Sequence, residues 1–134
     1  MSTEQNKELI RQFYAASNRG DMDSCIALLA DDLVWTVMGR TRFSGTYTGK
    51  QQVLEELVGP LFSQLKAGIH MTIEAMVAEG DRVVVQARGK AETHEGVPYN
   101  NPYLDIMRIE GGRIREVVEY LDTALVDKVF GPRE

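Results

Sequence analysis

Hydrophobic positions in the N-terminal half of the chain recur every three or four residues, which is typical of helices with one buried face. The pattern predicts a first helix that is capped by Ser2 or Thr3 and ends at Gly20. A second, short helix is expected to begin at Asp21 or Asp23 and to end at residues 31–32. The apolar positions are Leu9, Ile10, Phe13 and Tyr14 in the first helix and Ile26, Leu28, Leu29 and Ala30 in the second.

The middle of the chain predicts one strand, one loop and one irregular helix. The run at 33–38 is expected to be a strand, and the glycine-rich stretch 39–49 a loop with room for a short strand. A third helix is predicted from Gly49 to Leu65. Because proline fits only the first turn of a helix, Gly59-Pro60 predicts a kink or a break within it.

From residue 69 onward the pattern changes to the two-residue alternation of strands. It predicts strands over 69–78, 82–93, 99–109 and 113–121, and a last helix over 123–130 that Asp122 caps. Helices followed by a run of antiparallel strands indicate an α+β fold. We therefore predict one domain, 1–134, in which a curved antiparallel sheet wraps around three N-terminal helices as a cone-shaped barrel with a central pocket.

Composition narrows the class of partner. The net charge is −5 and the arginines are scattered, which argues against nucleic acid or an anionic membrane surface as a partner. The single cysteine, Cys25, fits a reducing compartment and falls in an apolar helical stretch, so it is expected to be a core residue. With no apolar signal region and no run of membrane-spanning length, the chain is expected to be cytoplasmic.

Two acidic residues interrupt the last two predicted strands. Asp105 lies in the apolar run PYLDIM and Glu119 in VVEYL, and the turn at 110–113 joins the two strands as a hairpin. The hairpin places both carboxyl groups close to cross-strand register. When two carboxyl groups are buried side by side, the charge of one raises the pKa of the other. One group then stays protonated as an acid beside the other, which is ionised and acts as a base. Alternatively, one or both face solvent from a half-exposed sheet, or a shared-proton pair only closes the base of the cone.

The chain resembles the nuclear transport factor 2-like superfamily, and within it the SnoaL-like and ketosteroid-isomerase-like branch. The resemblance implies a bent sheet wrapped around a long helix, and it implies a homodimer formed through the outer face of the sheet. The residues that carry it are RQFYAASNRGD (11–21), ALLADDLVW (27–35), the loop GTYTG (45–49), DIMR (105–108) and the segment from Gly112 to Asp122.

The resemblance assigns roles one position at a time. In ketosteroid isomerases an acid that matches Asp105 donates a hydrogen bond to the oxyanion, but Phe13 replaces their tyrosine and Val37 their general base. Tyr14, the next residue along the helix, is expected to point elsewhere. Steroid isomerisation is therefore not expected.

Two other branches share part of this set. In limonene-epoxide hydrolases Asp105 and Glu119 match the two acids, Tyr103 replaces the arginine, and Trp35 and Val37 stand near the water-holding positions. In SnoaL-type polyketide cyclases a single acid that matches Glu119 shuttles the proton, and Val117 replaces a histidine. Cyclase chemistry is the reaction that these residues contradict least.

We therefore predict an enzyme that uses no cofactor and no metal and acts on a small apolar oxygenated molecule. Asp105 and Glu119 exchange protons, and Tyr103 donates a hydrogen bond to a substrate oxygen. The alternative is a non-catalytic binding domain or a dimeric accessory domain of the same fold. The remaining ligand-contacting residues are predicted to be Phe13, Tyr14, Trp35, Met38, Phe43, Tyr47, Leu57, Phe62, Met107 and Val117.

Overall fold

The computed structural model describes residues 2–134 and begins with two capped helices. α1 (Thr3–Asn18) starts after Ser2, whose hydroxyl accepts a hydrogen bond from the backbone of Gln5, while the Gln5 side chain accepts one from the backbone of Ser2. α2 (Met22–Ala27) starts after Asp21, whose carboxylate accepts a backbone hydrogen bond from the first turn. Both helices begin where the sequence predicts.

Six strands form one curved sheet with the spatial order β2-β1-β6-β5-β4-β3. Neighbouring strands are antiparallel except β1 and β6, which run parallel. The edge strands β2 and β3 do not pair with each other, so the cone is open on one side. The predicted α+β class is confirmed. The strands are β1 (Leu29–Val37), β2 (Gly45–Thr48), β3 (His70–Glu79), β4 (Arg82–Lys90), β5 (Pro102–Glu110) and β6 (Arg113–Leu121).

β1 begins earlier than the sequence predicts, and the expected extension of α2 to residues 31–32 is wrong. Leu29 already pairs with Ile114 of β6, and the backbone N–H of Ile114 donates to the carbonyl of Leu28 at 2.8 Å. These contacts come from a strand that is remote in sequence, so the local apolar pattern does not contain them. β4 ends three residues earlier than predicted and β5 begins three residues later, at the ends that the 91–101 segment connects.

A bent helical segment connects β2 to β3. It consists of α3 (Lys50–Gln52), a π-helical turn (Val53–Val58) and α4 (Gly59–Phe62). Pro60 has no N–H to continue the regular hydrogen-bond pattern, and the wider π-helical turn directly precedes it. The break predicted at this proline is therefore a change of helix type. The chain closes with α5 (Thr123–Phe130), which Asp122 caps as predicted.

Two buried apolar clusters hold the fold together. The first joins α1 to the inner face of the sheet, and the second lies around the C-terminal helix and the loop before β5. Trp35 and Tyr47 pack against both clusters. Among residues 2–134, no helix is long and apolar enough to cross a membrane.

Candidate functional site

The two predicted acids face each other across the β5–β6 hairpin. Asp105 and Glu119 are direct partners in the strand register, and both side chains point to the concave face. Both acids line the cavity, but Asp105 is 3% exposed, whereas Glu119 is only half-buried. The site therefore has one acid that a ligand can reach and one acid behind it.

Tyr14 of α1 completes the site from the opposite side. Its hydroxyl donates a 2.8 Å hydrogen bond to Oδ2 of Asp105 in a buried setting. The expectation that Tyr14 points away from this acid is wrong. Phe13 lies beside it, with the two ring centroids 5.6 Å apart, and lines the cavity without a polar group. The assignments of Phe13 and Tyr14 to the position of the catalytic tyrosine differ by one residue along α1. The resemblance to other proteins does not determine which residue of α1 faces Asp105.

Burial and proximity move the pKa values of this group upward. Burial raises the pKa of Asp105 to about 6, although hydrogen bonds from Glu119 and Tyr14 oppose the shift. Burial and the negative charge of Asp105 raise the pKa of Glu119 well above its ordinary value. Oδ1 of Asp105 has no other hydrogen-bond partner among the described groups, and a proton held by Glu119 supplies one. The hydrogen bond from Tyr14 favours the ionised form of Asp105, so the geometry favours Glu119 as the group that carries a proton shared by the pair.

Tyr103 lies two residues before Asp105 on the same face of β5. Its hydroxyl is 3.2 Å from the hydroxyl of Tyr99, to which it donates, and Asn101 donates to the same oxygen at 3.1 Å. Burial raises the pKa of Tyr103 well above its ordinary value, so the phenol keeps its proton. The residue lines the cavity, and its hydroxyl group is held by this buried polar cluster.

A glycine inside β4 makes room for the Tyr103 ring. A Cβ atom at Gly89 would lie 2.8 Å from Cε2 of Tyr103 and 2.9 Å from Cγ2 of Ile69. Both distances are shorter than van der Waals contact, so only glycine leaves the ring in this place. Glycine within a strand is a signal for such a close approach, and here it identifies a residue that positions the site.

The acids lie in the wall of an apolar cavity of about 130 Å³. Three half-buried helical side chains also line it, Met22 and Ile26 from α2 and Leu61 from α4. The sequence patterns did not single out these three residues as ligand contacts, although Ile26 lies on the predicted apolar stripe. Of the residues predicted for the site, those that line the cavity are Phe13, Tyr14, Trp35, Leu57, Phe62, Tyr103, Asp105 and Glu119.

The other predicted contacts lie outside the cavity wall. Met107 and Val117 pair directly with each other one step along the hairpin and are fully buried in the first cluster. Phe43 packs against Phe130 in the second cluster, and Tyr47 donates its hydroxyl hydrogen to the carbonyl of Phe43. Met38 is 37% exposed beyond the end of β1. Inward alternation alone did not tell core from cavity, because both lie on the concave face.

Among residues 2–134, no group of three or more His, Cys, Asp or Glu side chains is placed to hold a metal ion. His70 and His94 are both exposed and belong to different parts of the surface. The charged side chains of the cavity wall are therefore the two acids, Asp105 and Glu119.

The sequence and the fold both have known relatives. The model of the SnoaL-like domain matches residues 10–117, and no curated protein matches the chain. An NTF2-like protein of unknown function from Burkholderia pseudomallei is similar at 23% identity and a TM-score of 0.82, with 96% of this chain and 98% of that chain covered.

Two further solved structures share the fold. TerC, co-crystallised with polyporic acid, is 20% identical with a TM-score of 0.80, covering 93% of this chain and 97% of that one. A Jannaschia sp. CCS1 protein provisionally assigned as a SnoaL-like polyketide cyclase is 18% identical with a TM-score of 0.80, covering 96% of this chain and 93% of that one. At these identities the likeness establishes the fold.

Proposed function

The chain belongs to the SnoaL-like domain family, and on that premise we propose that it is an enzyme that moves protons on a small apolar oxygenated molecule without a cofactor. The observation that carries the proposal is the pairing of Asp105 with Glu119 at the wall of an apolar cavity, with Tyr14 bonded to the inner acid. A proton shared between two adjacent, desolvated carboxyl groups is a common basis for acid–base catalysis near neutral pH.

The three polar groups take distinct roles in the proposed reaction. Glu119 reaches the cavity, gives its proton to a substrate oxygen, and as a carboxylate accepts a proton from a neighbouring carbon. Asp105, hydrogen-bonded to Tyr14, stays behind it and keeps the pKa of Glu119 raised. Tyr103 turns its hydroxyl hydrogen from Tyr99 toward the substrate oxygen, while Asn101 still donates to Tyr99.

The named relatives support a small organic substrate. TerC was crystallised with polyporic acid, and another neighbour is provisionally a polyketide cyclase. A cavity of about 130 Å³ resembles in size a cavity of roughly 150 Å³ that binds benzene in another protein. We therefore take a cyclic ketone with one or two rings as the test substrate class, with a polyketide ring closure or an epoxide opening as related reactions.

Proton transfer is tested without knowledge of the natural substrate. A cyclic ketone is incubated with the protein in deuterated buffer, and exchange of the hydrogens beside the carbonyl is followed by NMR. The wild type is expected to accelerate exchange, and Glu119→Gln to lower the protein-dependent rate by about a hundredfold or more, the usual contribution of a general acid or base. Glu116→Gln removes an acid from the outer face of the same strand and is expected to leave the rate unchanged.

Equal exchange rates with the wild type and Glu119→Gln, when both bind the ketone, would contradict the proposed chemistry. Such a result would favour the second candidate function, a binding domain with no reaction. That candidate has its own support in β1, which offers the cavity the indole of Trp35, while Val37 is buried in the second cluster. β1 therefore brings no second acid or base to the ligand.

We also propose that the chain forms a homodimer through the outer face of the sheet. Two adjacent cross-strand rows on that face carry apolar side chains, and the register aligns them across the strands. Charged residues of both signs, including Arg88 with Glu74 and Arg108 with Glu116, surround them. The same face of a second copy carries the same apolar rows and the same charges of both signs, so the two faces are complementary. This outer-face patch consists of Val77, Val84, Leu104, Ile106, Val118 and Tyr120.

A further inference from the structure

The electrostatic character of the cavity is one-sided. Asp105 and Glu119 both line it, and none of the lysine, arginine or histidine residues in the described part of the chain, 2–134, does. Among the ion pairs formed by residues 2–134, none involves either acid. The donors to the buried Asp105 are a neutral phenol, Tyr14, and the neighbouring carboxyl group. The fold therefore holds a buried negative charge next to a cavity without a positive charge to balance it.

The rest of the wall is aromatic and aliphatic. Five aromatic side chains reach the cavity from four separate elements, and they surround it from several directions: Phe13 and Tyr14 from α1, Trp35 from β1, Phe62 from α4 and Tyr103 from β5. Aromatic rings attract organic cations through the negative charge of their faces. An ammonium group that enters the cavity loses its hydrating water. The aromatic rings and the buried carboxylate replace it with cation–π and charge–charge attraction.

We propose that the ligand of this cavity is a compact apolar molecule that carries a protonated or quaternary nitrogen. The inference rests on the same acid pair as the proposed function, and it names the charge of the substrate. A cation supplies the missing positive charge beside Asp105, a neutral molecule supplies none, and an anion is repelled by the Asp105 carboxylate. The expected order of affinity is cation above neutral molecule above anion.

Trp35 provides the signal that measures this order. It is the only tryptophan of the chain and it lines the cavity, so a bound molecule changes its fluorescence. The three probes are benzylammonium, benzyl alcohol and benzoate, which share one ring and differ in charge. Benzylammonium is expected to bind at least about tenfold more tightly than benzyl alcohol. Benzoate is expected to bind more weakly than both.

Removal of the acids assigns the preference to them. In the double variant Asp105→Asn with Glu119→Gln the ratio of amine to alcohol affinity is expected to fall to about one, while benzyl alcohol still binds. Glu116→Gln, which changes the net charge but lies outside the cavity, is expected to keep the wild-type ratio. Circular dichroism and thermal unfolding show whether each variant retains the fold. If the double variant does not fold, the two single variants are compared, and Asp105→Asn must lower the ratio.

Three results would overturn the inference: equal or tighter binding of the alcohol to the wild type, no binding of the amine, or an amine preference that survives when the cavity acids are replaced. The ketone exchange experiment separates this inference from the proposed function. An amine preference without proton exchange leaves a cation-binding domain. Proton exchange without an amine preference leaves an enzyme for neutral molecules.

Discussion

Glu119 couples the stability of the fold to pH, because its pKa is higher in the folded chain than in the unfolded chain. Above the ordinary value of 4.5 the unfolded chain releases a proton that the folded chain still holds. The stabilisation is therefore complete below that value and is lost as pH rises through the raised pKa. Asp105 adds a contribution of the same sign, lost as pH passes about 6.

The prediction at this residue is that Glu119→Gln flattens the pH dependence of stability. The free energy of unfolding of the wild type falls as pH rises above about 4.5, by roughly 1.4 kcal/mol for each unit by which a pKa is raised, and it falls less in the variant. Urea unfolding at several pH values measures both. The Glu116→Gln control keeps the wild-type slope, and a variant slope equal to that of the wild type would show that the pKa of Glu119 is not raised.

Tyr14 is the other residue of the site whose hydroxyl group is expected to affect the stability of the fold. Tyr14→Phe leaves Oδ2 of the buried Asp105 without its donor, and the expected loss of stability is about 1–3 kcal/mol. Tyr47→Phe removes a phenol whose partner is a backbone carbonyl in a less buried place, and about 0.5–1.5 kcal/mol is expected. Urea unfolding near pH 7 compares the two. A Tyr14→Phe protein as stable as the Tyr47→Phe protein would contradict the role given to this hydrogen bond.

At the scale of the elements, the contact between β4 and β5 depends on Gly89. Glycine to alanine in an unstrained backbone usually stabilises a protein by about 0.4–1 kcal/mol. Here the added Cβ overlaps with Tyr103 and Ile69, so Gly89→Ala is expected to destabilise by about 1–3 kcal/mol and to displace the Tyr103 ring. Thermal unfolding gives the sign, and the NMR signals of Tyr103 report its position. A stabilised variant would mean that the ring moves aside at no cost.

The elements also show how far local sequence patterns reach. The β5–β6 hairpin and its acid pair follow from two-residue alternation on both sides of one turn, so the pattern predicts the pairing of Asp105 with Glu119. The parallel pairing of β1 with β6 joins segments about 80 residues apart, as Leu29 with Ile114 shows, and no local pattern contains it. Tyr14 was misplaced for the same reason, since the phase of α1 is set by the sheet it packs on.

At the scale of the whole molecule, the cavity lies where two cores meet. Its wall takes Tyr14 and Leu29 from the first cluster and Leu57 from the second. Met107 and Val117 have the same inward direction but lie one pair further along the hairpin, where the cone is filled. Whether an inward-facing residue lines the cavity or is buried in the core therefore depends on its depth along the cone. That depth is a property of the assembled fold, and the alternation of a single strand does not contain it.

The outer-face patch is expected to determine the oligomeric state of the whole molecule. Leu104 and Tyr120 are direct cross-strand partners on this face and are 39% and 43% exposed. Contiguous exposed apolar side chains commonly mark an interface, and a two-fold axis would bring the patch against itself. The wild type is therefore expected to sediment as a dimer.

Leu104→Glu tests that interface with a matched control. A charge placed within an apolar interface is buried without a partner when two copies associate, so the variant is expected to sediment as a monomer. Val97→Glu introduces the same charge at an apolar residue with 43% exposure in the turn before β5, away from the patch, and is expected to remain a dimer. Analytical ultracentrifugation over a range of concentrations measures all three proteins. A monomeric wild type would exclude the dimer, and a dimer that withstands Leu104→Glu would place the contact between copies on another surface.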